Sequence, residues 1–142
     1  MPAEAFEEIV ESFELFDDWE DRYRYVIDLG RELPDLDDAR RSDATKVEGC
    51  ASQVWLVPDL RQEDGAKKLY FEGDSDAMIV RGLIAVLIAM VSGQSIAEIR
   101  DINIREQLAR LQLDQALSAQ RSNGLRAMVT RIEDIAAASS TA

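Results

Sequence analysis

The sequence contains no histidine and a single cysteine, Cys50, among its 142 residues. A disulfide within the chain is therefore excluded. A zinc or iron–sulfur site needs three or four Cys, His or carboxylate ligands, and one cysteine cannot supply such a set. A cysteine–histidine couple for acyl transfer is also absent, because no imidazole is available as a general base. The chemistry left to Cys50 is disulfide or persulfide exchange, oxidation, or no reaction at all.

Basic residues are few. Lys and Arg number 16 against 28 Asp and Glu, which gives a formal net charge of −12. Such a surface repels phosphate backbones, so the composition argues against a nucleic-acid-binding protein. It suits a basic patch on a protein partner, although a solvated acidic surface is the more common explanation of such a charge.

Long apolar runs are missing as well. The most apolar stretch, residues 77–91, is interrupted by Arg81 and Gly82 and is too short to span a bilayer. Residues 1–8 read MPAEAFEE, which lacks the basic and apolar regions of a secretory signal. A thiol with no disulfide partner fits the cytoplasm, so we expect a cytoplasmic protein without a membrane segment.

The length and the 46% apolar content predict one domain with its own core. We expect this domain to occupy residues 1–142, with a core at about 5–136 and a disordered tail at 137–142. No repeat or linker interrupts the chain.

The first third of the chain has helical periodicity. Apolar residues at i, i+3, i+4 and i+7 predict an amphipathic helix with Phe6, Ile9, Val10 and Phe13 on one face. A second helix is predicted to begin near residues 17–18, whose aspartates can cap it, and to end at Gly30 or Pro34.

The middle of the chain has a pattern typical of β-strands. Residues 53–57 and 68–72 are rich in β-branched and aromatic residues, and the Asp-Gly pair between them predicts a hairpin. A third short strand is predicted at 46–48. Residues 73–76, GDSD, can cap a helix over 77–92 that Gly93 ends. Further helices are predicted at 95–100, at 105–111 and from Ser118 onward. This order of elements predicts an α+β fold.

Composition alone favours a buried, unreactive Cys50, since free cysteine is among the most buried residue types. The neighbouring residues favour another position. Gly49 indicates a turn or a close backbone approach, and polar residues flank the thiol. We therefore expect Cys50 on a loop that enters a strand, where functional residues concentrate.

Four blocks of the sequence carry a family resemblance. They are residues 19–34, which begin WEDRYRYVIDLG, residues 47–55, VEGCASQVW, residues 73–83, GDSDAMIVRGL, and residues 118–128, SAQRSNGLRAM. In this order and spacing they resemble the SufE/CsdE family of sulfur acceptors. Two departures stand out: Ala51 replaces the glutamine that many members carry, and Glu48 places a carboxylate near the thiol, which should raise its pKa.

The resemblance implies a small antiparallel sheet with helices on one side, a fold shared with U-type iron–sulfur scaffold proteins. It also implies that Cys50 accepts persulfide sulfur from a SufS/CsdA-type cysteine desulfurase, raises the turnover of that enzyme and passes sulfur to a scaffold complex. This chain would bind no metal and no cofactor, because the pyridoxal phosphate belongs to the desulfurase. A homodimer is left open.

Three residues are candidates to support the Cys50 thiolate or to contact the partner: Gly49, Asp74 and Arg121. Arg121 matches an arginine of the family and is the candidate cation; an exposed helix arginine paired with surface acids is the alternative. Asp74 and Asp76 are better explained as the N-terminal cap and first turn of the helix that follows.

Two other functions stay open on the sequence. Cys50 would serve as a redox sensor if its thiol were exposed and of low pKa. Alternatively, the chain would be an adaptor domain with an inert cysteine.

Overall fold

The computed structural model describes residues 2–50 and 52–140, and within these ranges the chain forms six α-helices, two short 3₁₀ helices and three strands. The helices are α1 (Glu4–Leu15), α2 (Trp19–Glu32), α3 (Met78–Val91), α4 (Ile96–Asp101), α5 (Ile104–Ala109) and α6 (Ala119–Ser139). The strands are β1 (Val54–Glu63), β2 (Ala66–Ser75) and β3 (Gln94–Ser95), and the 3₁₀ helices are Asp38–Arg40 and Leu113–Gln115.

The two N-terminal helices follow the sequence prediction. The buried residues of α1 are Phe6, Ile9, Val10 and Phe13, which confirms its apolar face. The side chain of Asp18 caps α2 by accepting a hydrogen bond of 2.9 Å from the backbone N–H of Asp21. This cap satisfies one of the free N–H groups at the start of the helix.

Helix α3 lies at the centre of the molecule and crosses α2 where both helices carry a glycine. A Cβ on Gly30 would lie 2.6 Å from the backbone nitrogen of Gly82, and a Cβ on Gly82 would overlap Val26. Glycine is required at both positions because the backbones approach closely there. The crossing lets α3 bury most of its surface, as its apolar sequence predicts.

Strands β1 and β2 form the predicted hairpin, and both are longer than the pattern indicated. They pair antiparallel from Val54↔Ser75 to Glu63↔Ala66. Asp64 and Gly65 make the turn with φ angles of 51° and 77°, the two positive values that a type I′ turn requires.

The prediction for the third strand was wrong. Residues 46–48 contribute only an isolated bridge between Lys46 and Trp55, and the third strand is β3, which pairs with β2. The sheet order is β1-β2-β3. Gly93, with a φ of 83°, turns the chain after α3 so that its N–H reaches the carbonyl of Leu69 at 2.8 Å. A strand of two residues is too short to show a period in the sequence.

Helices α4 and α6 begin at the predicted positions, whereas α5 (Ile104–Ala109) begins one residue before the start and ends two residues before the end of the predicted range 105–111. Ser95 and Glu98 form a capping box at α4, and the Ser118 side chain caps α6. Helix α6 continues to Ser139, so residues 137–139 of the tail expected to be disordered are helical. Residues 141 and 142 lie outside the described ranges.

One face of the sheet is covered by helices. In β2 the buried Leu69 and Phe71 alternate with the more exposed Lys68, Tyr70 and Glu72, and α3 packs on the buried face. The fold is therefore α+β in a single domain, as predicted. None of the helices in 2–50 and 52–140 has the length and apolar character needed to cross a membrane.

Candidate functional site

Cys50 lies on the connection between α2 and β1, just before β1 begins. Before the cysteine, the chain is paired with β1: Lys46 bridges Trp55, and the Val47 N–H donates to the Val54 carbonyl at 2.8 Å. These bonds place Cys50 on a tight loop entering a strand, as the sequence predicted.

Two features shape this loop. Gly49 has a φ of 91°, in the region that favours glycine, and a Cβ there would also lie 3.3 Å from the Cβ of Ala127. At the far end of the loop, the Gln53 N–H donates to the Asp76 carboxylate at 3.0 Å. Gly49 therefore determines the backbone path of the loop that carries Cys50. Ala51, the residue that departs from the family pattern, lies outside the described residues.

The Cys50 side chain faces a cavity of about 90 Å³ between the loop, α3 and α6. Its lining residues are Cys50, Ser52, Val80, Leu83, Gln120, Arg121, Gly124, Leu125 and Met128. A Cβ on Gly124 would lie 3.6 Å from the Cys50 sulfur, so the glycine keeps space open beside the thiol. The walls are apolar toward α3 and partly polar toward the N-terminal end of α6.

The Cys50 thiol is half-buried and protonated at rest. Its S–H donates to the Gly124 carbonyl oxygen at an S···O distance of 3.5 Å. Burial, and secondly the negative charge of Glu48, raise the pKa of Cys50 above its ordinary value. The prediction that Glu48 raises this pKa is confirmed.

Replacement of Glu48 by glutamine is expected to shift the pH profile of Cys50 alkylation to lower pH. The carboxylate opposes thiolate formation, so its loss lowers the pKa of Cys50 and increases the alkylation rate at neutral pH by up to a few-fold. Iodoacetamide rates measured from pH 6 to pH 11 test this. Because burial is the larger cause, the inflection of the variant should still lie above that of a free thiol, about 8.5. Asp43→Asn, at an exposed acid of the same connection, is the matched control and should leave the profile unchanged.

Arg121 reaches the same cavity from the first turn of α6, where its backbone N–H donates to the Ser118 hydroxyl at 3.2 Å. Its guanidinium Nη1 is buried and has no hydrogen-bond partner within 2–50 and 52–140. The exposed, surface-paired arginine that was the alternative does not describe this geometry. A buried donor without an acceptor is costly, and an anionic sulfur in the cavity would supply one.

Asp74 is not at the surface and does not cap a helix, which corrects both interpretations of this residue. It belongs to β2, its side chain is 1% exposed, and the N-cap position of α3 is Ala77, with no side-chain cap bond. Asp76 also caps no helix, since its carboxylate binds the Gln53 N–H. The GDSD block resembles a cap locally, but the pairing of Asp74 with Trp55 extends β2 through it.

The Asp74 carboxylate is the centre of a buried ionic cluster. It accepts hydrogen bonds from Arg81, from Arg41 at 2.5 Å, and from the N–H groups of Leu36 at 3.2 Å and Ser75 at 2.8 Å. Burial opposes ionisation of this carboxylate, but the bonds to Arg41 and the two N–H groups and the charge of Arg81 outweigh it and lower the pKa of Asp74. The cluster ties the connection after α2 to β2 and α3.

A resident metal has no ligand set in the described part of the chain. No three His, Cys, Asp or Glu side chains there are grouped so as to hold an ion.

Comparison with known proteins assigns the family. The family model described as "SufE: Fe-S metabolism associated domain" matches residues 7–136. The chain belongs to the SufE family. A member of this family is associated with iron–sulfur metabolism, and the resemblance found in the sequence blocks is confirmed.

Two curated relatives of this SufE-family protein cover almost the whole chain. An uncharacterized SufE-like protein of Rhizobium etli is 48% identical over 130 residues, which are 92% of this chain and 88% of the relative. An uncharacterized SufE-like protein of Rhizobium meliloti is 46% identical over 129 residues, or 91% and 92% of the two chains.

A solved structure shares the fold. The solution structure of a hypothetical protein from Thermus thermophilus superposes with a TM-score of 0.78 over 100% of both chains, at 16% sequence identity. At this identity the likeness concerns the fold alone, and it supports the α+β architecture described above.

Sequence reasoning missed several residues of the site. Val80 and Leu83 were assigned only to a central apolar helix, yet they form one wall of the Cys50 cavity. Arg131 and Asp76 hold the two ends of the cysteine loop. No local pattern signals these roles, because each residue acts on a distant part of the chain.

Proposed function

We propose that this SufE-family protein accepts sulfane sulfur from a cysteine desulfurase on Cys50, stimulates that enzyme and delivers the sulfur for iron–sulfur cluster assembly. The observation that carries the proposal is the placement of Cys50 and of Arg121, with its buried Nη1, on one cavity beside a glycine-containing loop. Membership of a family associated with iron–sulfur metabolism supports it.

The transfer step needs only a thiolate on the acceptor. The Cys50 thiolate attacks the outer sulfur of a persulfide on the donor cysteine; a new S–S bond forms on Cys50 while the donor S–S bond breaks. The donor cysteine leaves as a thiolate and takes up the proton that Cys50 released. The transferred sulfur keeps its oxidation level, so the step requires no external oxidant or reductant.

The cavity suits the product of this step. A volume of about 90 Å³ beside the thiol accommodates one more sulfur atom, and the apolar side of the cavity toward α3 shields that atom on one side from water and other thiols. The persulfide is acidic and carries a negative charge at neutral pH, and the unpaired Nη1 of Arg121 supplies a donor for that charge.

The resting geometry also supports a role for the partner. A half-buried thiol with a raised pKa, whose S–H donates to the Gly124 carbonyl oxygen, is a poor nucleophile until its surroundings change. Docking of a SufS/CsdA-type desulfurase would draw the loop toward the donor persulfide. In this proposal the pyridoxal phosphate belongs to the desulfurase, a scaffold complex receives the sulfur, and the exchange takes place in the cytoplasm.

A transfer assay with a purified SufS-type desulfurase tests the proposal. The protein is incubated with the desulfurase and ³⁴S-labelled cysteine, and both the labelled adduct on Cys50 and the rate of alanine formation are measured. We expect an adduct in the first turnover and faster alanine formation in its presence. If neither occurs with a desulfurase shown to be active with its own acceptor, the proposal is wrong.

Replacement of Arg121 by alanine is expected to reduce the single-turnover yield of persulfide on Cys50 by about tenfold, the loss typical of one charge-assisted hydrogen bond. The nucleophile itself remains, so some transfer persists. Mass spectrometry of the intact protein measures the yield. Arg126→Ala is the matched control, because Arg126 is an exposed arginine of the same helix whose guanidinium binds Asn123. An equal loss in both variants would show that Arg121 has no specific role.

The redox-sensor alternative receives no support from this geometry. A sensor thiol is accessible and of low pKa, whereas Cys50 is half-buried and its pKa is raised. Rapid sulfenic acid formation with peroxide and no sulfur uptake would favour the sensor. No reaction in either assay would favour an adaptor domain with an inert cysteine.

A further inference from the structure

A single arginine ties the segment that leads into the cysteine loop to helix α6. Arg131 donates from Nη2 to the carbonyl oxygen of Ala44 at 2.6 Å and from Nη1 to the carbonyl oxygen of Lys46 at 3.4 Å. Its two acceptors belong to residues 85 and 87 positions earlier in the chain. A guanidinium suits this task because its planar fork presents two donors to two acceptors at once.

Both bonds start from a residue of α6, the helix that also forms part of the Cys50 cavity. Helix α6 supplies Arg121, Gly124 and Met128 to the wall of the Cys50 cavity. Arg131 therefore sets the distance between the start of the loop and the helix against which the thiol rests.

The loop is held at its far end by a separate bond, from the Gln53 N–H to the Asp76 carboxylate. Residues 47–52 lie between these two attachments, with Gly49 inside the segment. Of the two, only the attachment made by Arg131 joins the loop to α6.

We propose that Arg131 is a positioning residue that holds the Cys50 loop against α6 and so keeps the thiol in its sheltered resting state. Without this attachment the loop moves away from α6 more readily, and Cys50 becomes more accessible. The inference deepens the proposed function and rests on it for its meaning, but it concerns the reactivity of Cys50 alone and is tested without a desulfurase.

Two explanations of an effect of Arg131 on Cys50, loss of its charge and release of the loop, predict opposite changes in the alkylation rate. The charge of Glu48 acts on the thiol from its own loop, and Arg121 lines the same cavity from α6, while α3 contributes only the apolar Val80 and Leu83 to the cavity. If Arg131 acted only as a distant cation, its removal would raise the pKa of the thiol and slow alkylation. Release of the loop predicts the opposite direction, because it relieves the burial that raises this pKa.

The experiment compares iodoacetamide rates of the full chain and its Arg131→Ala and Arg131→Lys variants across the pH range. We expect Arg131→Ala to react at least threefold faster at pH 7, with its inflection at lower pH. Arg131→Lys keeps the positive charge but loses the two-donor fork of the guanidinium. Its alkylation rate should therefore lie between those of the parent chain and of Arg131→Ala. Arg126→Ala, which removes a cation from the same helix without touching the loop, should match the parent chain.

A second substitution serves as the control for faster alkylation that arises from global unfolding. Ile9→Val in α1, outside the Cys50 cavity, is expected to lower the urea midpoint of unfolding and to leave the alkylation rate unchanged. Unchanged or slower alkylation of Arg131→Ala, or equal acceleration by Ile9→Val, would overturn the inference. Faster alkylation of Arg131→Ala in a protein that takes up no sulfur from a desulfurase would uphold the inference and contradict the proposed function.

Discussion

Replacement of Cys50 by serine is expected to abolish sulfur uptake completely. The sequence has no other cysteine, so no neighbouring thiol can replace it. A serine hydroxyl has a far higher pKa than a thiol and does not attack a persulfide at neutral pH. In single-turnover transfer, mass spectrometry should detect an adduct of about 32 Da, one sulfur atom, on the parent chain and none on the variant.

The fold should tolerate this substitution, since serine differs from cysteine by one atom and the side chain is only half-buried. Circular dichroism and thermal unfolding should therefore match the parent chain. A second variant, Cys50→Ser combined with Ser52→Cys, returns a thiol to the same loop and the same cavity wall two residues later. We expect it to recover less than a tenth of the adduct. An adduct on the single serine variant would show that position 50 is not the sulfur acceptor. Full recovery in the double variant would show that sulfur uptake does not depend on the exact position of the thiol in the loop.

Replacement of Asp74 by asparagine is expected to destabilise the protein by about 3 kcal/mol, because it removes the buried member of an ion cluster and leaves Arg41 and Arg81 with only the exposed Asp38 and Asp35 as counter-ions. Arg81 is 11% exposed and loses its buried counter-ion, and Arg41 loses its 2.5 Å partner. Urea unfolding at pH 7 measures the difference. Asp38→Asn is the matched control: Asp38 also pairs with Arg41, at 3.7 Å, but its side chain is fully exposed and its loss should have little effect.

The same carboxylate predicts a pH dependence. The pKa of Asp74 is lower in the folded chain than in the unfolded chain, so its ionised form favours folding. This contribution is fully present above the unfolded pKa, about 3.9, and is lost as the pH falls through the lower folded pKa. The stability difference between the parent chain and Asp74→Asn should therefore shrink below pH 4. Equal urea midpoints for the two proteins at pH 7 would show that the cluster contributes no net stability.

Several elements were predictable because their causes are local. The apolar face of α1, the Asp18 cap of α2 and the Asp-Gly turn of the hairpin each depend on residues within a few positions of one another. Such local patterns can be recognised in a sequence because side chains three or four residues apart share a helix face, and because the type of a turn depends on the φ angles of two residues.

Asp74 shows where local reasoning fails. The GDSD block has the composition of a helix cap, and the chain uses it instead to end a strand and to bury a carboxylate. The cations that permit this burial lie 33 residues before Asp74 and seven residues after it. A carboxylate is buried only where such partners converge, and convergence is a property of the fold.

The sequence by itself limited the chemistry of Cys50: one thiol without a histidine permits persulfide exchange and cannot form a cysteine-rich zinc or iron–sulfur site or a Cys–His couple, and four short blocks indicate the SufE family. Only the tertiary structure decided the surroundings of that thiol. One wall of the cavity, the buried Arg121 donor and the Arg131 attachment come from α6, at least 70 residues after Cys50. The reactivity of a thiol depends on burial and on nearby charges, and both are set by contacts that the order of residues along the chain does not reveal.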